Sequence, residues 1–180
     1  MKPVPFIYVR NSQASDLSFY SSMLRNDIWI HESGFSSDDF VTDQQVLEFM
    51  TPHHPLDLKG IATRCDGYQI GFVHFKLSRA GQVEICGGVK PEILNRGLGF
   101  LGFVFSIDFY FKTYPCDEIF STVYQHNERS RKMDLKVGFA HTGIVTYDVR
   151  DFDVFILSRQ SFYSNSFVNL ILAHDYGVLC

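Results

Sequence analysis

Residues 4 to 10, VPFIYVR, alternate between two faces and are rich in branched and aromatic side chains, so they read as a strand. A polar, cap-rich segment, Asn11 to Asp16, leads into LSFYSSMLR, whose apolar spacing is helical. Residues 26 to 42 show no clear period and read as irregular; they hold the only tryptophan, Trp29. Asp43 is placed to cap a short helix ending near Met50, and Thr51-Pro52-His53-His54-Pro55 breaks the chain. Strands are predicted at 58–64, 68–77 and 82–89. Cys65-Asp66-Gly67 and Ser78-Arg79-Ala80-Gly81 join them, and turns this short predict an antiparallel meander.

From 97 to 112 the chain is apolar at helical spacing, with Leu98, Leu101, Val104, Phe105 and Phe109 on one side. A strand at 118–124 follows, then a helix over 127–137 that Gly138 closes, then strands at 139–148 and 152–158. Residues 160–180 carry only a weak helical pattern, in FVNLILAH. The order predicts the α/β (α+β) class: one domain over 1–159, a mixed, mostly antiparallel sheet of six to seven strands flanked by helices, with one β-α-β unit. Residues 160–180 read as an extension packing on that domain or on a partner.

The chain has 180 residues, enough to bury a core without disulfides or metals, and 46% of them are apolar. Its 18 phenylalanines read as core, with a dimer or partner surface as the second use. A net charge of −4 argues against general nucleic-acid binding, although Arg129-Ser130-Arg131-Lys132 leaves room for a small polyanion. Cys65, Cys86, Cys116 and Cys180 lack metal-site spacing, and no apolar run is long enough to span a membrane. A reducing, cytoplasmic setting is the expectation, with no metal.

Gly97-x-Gly99-x-x-Gly102 matches a dinucleotide fingerprint by letter but not by context. In that fold the strand runs almost directly into the first glycine, and the acidic residue ends the next strand. Here Lys90 to Arg96 intervene, and Asp117-Glu118 precedes the next strand. Another use suits the spacing. Free N–H groups at a helix start hold a diphosphate, and glycines let it approach. Gly87-Gly88 on the preceding strand predict a bulge or splay that exposes backbone to an extended ligand.

Val89-Lys90-Pro91-Glu92 followed by Arg96-Gly97-Leu98-Gly99, then Asn127-Glu128-Arg129-Ser130 and Lys136-Val137-Gly138-Phe139, resembles the GNAT N-acetyltransferase superfamily. The resemblance is strongest to its ribosomal-protein and aminoglycoside branches and covers about residues 5 to 159. It implies an acetyl-coenzyme A-dependent enzyme that acetylates a primary amine on a protein N-terminus, a lysine or a small molecule. Gly88 and Val89 would hold the pantetheine. Asn95, Arg96, Gly97, Leu98 and Gly99 would hold the diphosphate. Asn127 would touch the coenzyme arm, with Ser130 beside it. Glu84 would be the base; the family's usual acid position is changed in this chain, which leaves Tyr124 or Tyr147 to protonate the leaving thiolate, or the thiolate to leave unassisted.

Two positions depart from the family pattern. Leu94 stands where a phosphate-binding Arg or Gln is expected. Asp134 stands where a general-acid tyrosine is expected, and an ordinary aspartate, with a pKa near 3.9, would be ionised. These departures motivate a second reading, a non-catalytic GNAT-fold binding or assembly protein such as a virus encodes. His53 and His54 read as turn residues, His74 as a satisfied sheet residue and Cys86 as a buried thiol. Asp27, Glu32, Asp38 and Asp39 make the first loop acidic, a weak hint of a cationic acceptor.

Overall fold

The computed structural model describes residues 7–64, 66–78 and 80–173. The start of the predicted first strand, Cys65, Arg79 and the end of the C-terminal segment lie outside the described residues. The strands are β1 (Ile7–Asn11), β2 (Leu58–Arg64), β3 (Gln69–Leu77), β4 (Val83–Val89), β5 (Glu118–Tyr124), β6 (Ala140–Tyr147) and β7 (Arg150–Ser158). The helices are α1 (Leu17–Leu24), α2 (Asp27–Ser33), α3 (Asp43–Met50), α4 (Leu98–Thr113), α5 (Glu128–Val137), α6 (Arg159–Ser164) and α7 (Ser166–Ala173). All seven strands form one sheet in the order β1-β2-β3-β4-β5-β7-β6. Every neighbouring pair is antiparallel except β4 and β5, which α4 connects as the expected β-α-β unit. No described helix is long and apolar enough to cross a membrane.

Two cores flank the sheet. On one face α4, α6 and α7 bury Val104, Ile107, Phe111, Phe162, Val168 and Ile171 with the strand side chains of that face. On the other, α1 to α3 bury Phe19, Tyr20, Met23, Trp29, Phe40 and Val46 against Ile61 and Phe72. Arg159 ties the C-terminal helices to the end of α4. Its guanidinium donates to the carbonyl of Phe111, which the last turn of α4 leaves free, and to those of Tyr114 and Cys116 just beyond the helix.

Four local expectations need correction. Residues 26–42 are not irregular: Asn26 caps α2 through the Ile28 N–H, Gly34 ends it in the left-handed region, and 37–40 form a 3₁₀ turn. Thr42, not Asp43, caps α3. Phe109 is exposed, because α4 is buried between the sheet and α7 through Val104, Ile107, Tyr110 and Phe111 rather than through a single stripe. Gly87 and Gly88 make no bulge; they stay in register with Val73 and Phe72 on β3. Their lack of a side chain serves close packing. A Cβ on Gly88 would lie 2.5 Å from the Trp29 indole nitrogen, and one on Gly87 2.7 Å from the Phe72 carbonyl oxygen.

Candidate functional site

The splay lies on the other edge of β4. Among the described residues β4 and β5 pair only at Val83–Ile119 and Glu84–Phe120, and beyond these residues no partner strand borders β4 on that side. The N–H and C=O groups along that edge are left for another partner. A cleft of ≈ 720 Å³ opens there. One end reaches the start of α4 and the α5 face carrying Ser130 and Asp134; the other reaches Phe49, Lys59 and Trp29.

At the first end, Gly97 has φ +77° and nothing within 4 Å of where a Cβ would sit, so the backbone turns left-handed against open space. The first intrahelical bond runs from Leu101 N to Gly97 O, which leaves the N–H groups of Leu98, Gly99 and Phe100 without intrahelical partners. Asn95 also turns left-handed, at φ +62°. Gly99 has a packing reason too: a Cβ there would sit 2.6 Å from Val89 Cγ1. Leu98 packs on the core and offers only its backbone, while Arg96 is exposed on the loop. Leu94 borders the cleft as an apolar wall, and Lys136 stands at the same end, 4.8 Å above the Phe100 ring. Sequence reasoning missed Lys136 as a cation for this end, because only the packing of α5 beside α4 brings it there.

Asn127 caps α5. Its Oδ1 accepts from Ser130 N at 3.0 Å and its Nδ2 donates to the Glu32 carbonyl at 3.0 Å, tying α2 to α5. One turn after Ser130 on the same face, Asp134 is 1% exposed, and Ser121 Oγ donates to its Oδ2 at 2.7 Å. Burial pushes this carboxyl up to about 7, and the Ser121 bond opposes the shift. Asp134 is therefore not the ordinary ionised aspartate that its sequence position suggested. At neutral pH it is divided between protonated and ionised forms. The basic run around it is locally neutralised: Arg129 pairs with Glu32, Arg131 with Asp153 and Lys132 with Glu128.

The opposite face carries the other candidates. Glu84 borders the cleft and accepts from Thr122 Oγ1 at 2.7 Å, a bond that spans β4 and β5 where they begin to part. Tyr124 stands two residues beyond Thr122 on the same face, its ring 5.4 Å from Phe152. Cys86 is not buried out of reach. It faces solvent on the cleft floor, yet the surrounding walls and Glu84 push its thiol up to about 12. His74 is fully buried and satisfied, as expected of a sheet residue, with Tyr20 Oη at 2.8 Å and Lys59 Nζ at 3.4 Å. His53 borders the cleft, while the N–H groups of His53 and His54 both donate to Asp57. Of the loop acids, Glu32 reaches the cleft; Asp27, Asp38 and Asp39 do not line it.

The whole chain can be compared with solved structures. It superposes on an aminoglycoside acetyltransferase, AAC(6')-Ib, in complex with coenzyme A, with a TM-score of 0.74 at 19% identity, covering 87% of this chain and 97% of that one. The chain has the GNAT fold. A spermidine N-acetyltransferase from Vibrio cholerae in complex with CoA and spermine gives a TM-score of 0.76 at 14% identity, over 88% and 98% of the two chains. A GCN5-related N-acetyltransferase from Kribbella flavida gives 0.71 at 21% identity, over 84% and 97%. No family model and no curated protein matches the sequence. In this GNAT fold the parted strands, the left-handed Gly97 and the Asn127 cap stand in the order in which the sequence motifs occur.

Proposed function

We propose that the chain is an acetyl-coenzyme A-dependent N-acetyltransferase acting on a primary amine by direct attack on the thioester. The observation that carries this reading is the parting of β4 from β5, which opens a cleft between a helix start with free N–H groups and a carboxylate, Glu84. The solved structures of like fold that hold coenzyme A support it. The residues fit such a co-substrate. Gly97 leaves open space where a side chain would block a diphosphate, and the N–H groups of Leu98 and Gly99 with Lys136 supply donors and charge. The free edge of Gly88 and Val89 can bond an extended pantetheine as a strand would. Asn95 and Arg96 border the loop, while Asn127 and Ser130 shape the arm's other wall.

Bound acetyl-coenzyme A supplies an activated acyl group. Glu84 takes the proton that the acceptor ammonium must lose, since an amine near pKa 10 is mostly charged at neutral pH. Thr122 fixes the orientation of the Glu84 carboxylate. Two groups can return a proton to the thiolate, Tyr124 on the acceptor face and Asp134 on the coenzyme face. Asp134 is suited to this by burial, which keeps part of it protonated.

The reading is tested by a thermal melt with and without acetyl-coenzyme A. A ligand at ~100 times its Kd adds about 2.7 kcal/mol. A clear upward shift that Gly97→Asp removes supports the reading, and no shift at millimolar coenzyme refutes it.

A further inference from the structure

The acceptor end of the cleft contains a lysine that the proposed chemistry leaves unused. Lys59 is 6% exposed and borders the cleft from β2. It stands in cross-strand register with His74 on β3, which is in register with Cys86 on β4, so the three form one row across the sheet. Burial holds His74 well below the ordinary imidazole range, so it is neutral. The contacts then assign the protons: Lys59 Nζ donates to Nδ1, and Nε2–H donates to Tyr20 Oη, which is 3.4 Å from the Gly60 carbonyl. One of three ammonium donors is used. The Phe49 ring lies 5.3 Å from Lys59 Nζ.

The charges at this end do not pair with one another. Glu32 pairs with Arg129, whereas Glu84 and Glu48 are held by the neutral Thr122 and Gln44. Among the described residues, neither Lys59 nor its cleft neighbour Lys76 has a carboxylate within ion-pair distance. Burying an ammonium without a counter-charge is costly, and an anion with donors directed at it removes that cost. Trp29, Phe35, Phe49 and Phe72 pack against one another beside it, offering an apolar wall.

We infer that the acceptor is a primary amine bearing an apolar body and an anionic group, a carboxylate or phosphate, which Lys59 and Lys76 hold while the amine lies at Glu84. This rests on the proposed transferase reading and narrows its substrate. Lys59 and Glu84 lie two strand spacings apart and two residues out of register, roughly 12 Å between backbones, and Lys76 stands directly opposite Glu84, so long side chains bring both ends of a small amino acid-like molecule within reach.

The test uses the full chain with acetyl-coenzyme A and measures coenzyme release with matched acceptors: phenylalanine against phenylalaninamide, phosphoethanolamine against ethanolamine, and spermidine and kanamycin as polycations. The expected result is a ~10- to 100-fold higher kcat/KM for the anionic member of at least one pair. That preference should collapse in Lys59→Met and survive in Lys59→Arg; the pair that shows it separates carboxylate from phosphate. Better turnover of spermidine or kanamycin, or a preference indifferent to Lys59→Met, overturns the inference. If none of these amines is acetylated, calorimetry of N-acetylphenylalanine and N-acetylphosphoethanolamine against their uncharged counterparts, on chain saturated with coenzyme A, decides it. Tighter binding of an acid that Lys59→Met abolishes upholds the inference, and equal binding sinks it. Coenzyme binding is read in the same samples. Its loss overturns both readings, whereas bound coenzyme with no anion preference removes this one alone.

Discussion

Replacing Asp134 with asparagine should flatten the acid side of the stability profile. In the folded chain burial raises this carboxyl from an ordinary 3.8 to about 7, and no cation lies within ion-pair distance of it among the described residues. The folded state therefore binds more protons than the unfolded state between these two values. Stability falls as pH rises through this window and levels off above about 7. At about 1.4 kcal/mol per pH unit the full loss is about 4 kcal/mol. Asparagine accepts the Ser121 hydroxyl through its amide oxygen but does not titrate. Urea unfolding of both proteins at half-unit steps from pH 4.5 to 8.5 measures the difference. Asp134→Asn should gain on the parent by roughly 1 kcal/mol per unit up to about pH 7, equivalent to ~2–4 °C per kcal/mol in Tm for a domain of this size. Parallel profiles would refute the claim that Asp134 is held protonated by burial.

Glu84→Gln should lower kcat by ~10²–10⁴-fold while leaving the coenzyme-induced melting shift in place; an unchanged kcat assigns the base elsewhere. Gly97→Asp should fold with a cost of about 1–2 kcal/mol for its left-handed backbone, yet abolish that shift; a retained shift moves the diphosphate away from the α4 start. Gly99→Ala should destabilise the chain although alanine favours helices, because its Cβ meets Val89 Cγ1, and Val89→Ala should restore the loss in the double variant. Additive losses by urea unfolding would contradict that contact.

Local features were legible in the chain. The strands read at 58–64, 68–77 and 82–89 from the short turns between them, the helical run that became α4 and the Gly138 stop depend on neighbours in sequence, so they appear in one-dimensional spacing. The turn at Gly97 was legible for the same reason, since only a glycine takes that φ without strain. Less legible was α2, whose signal is one capping asparagine and a closing glycine around a segment of mixed polarity.

The site divides along the same line. Glu84 and the Gly97–Gly99 segment could be named because they lie beside a motif that can be read along the chain. The parting of β4 and β5, the proton on Asp134 and the buried charge of Lys59 could not. A splay depends on where two distant strands stop pairing, a protonation state on how completely other elements exclude water, and an unpaired lysine on which carboxylates fail to reach it. Lys59, His74 and Cys86 are scattered over 28 positions of sequence, and only strand register places them side by side. Sequence by itself determined the elements and the backbone cradle, because those follow from local spacing. Tertiary structure alone decided the charges facing the cleft, because they follow from pairing and burial between segments far apart in the chain.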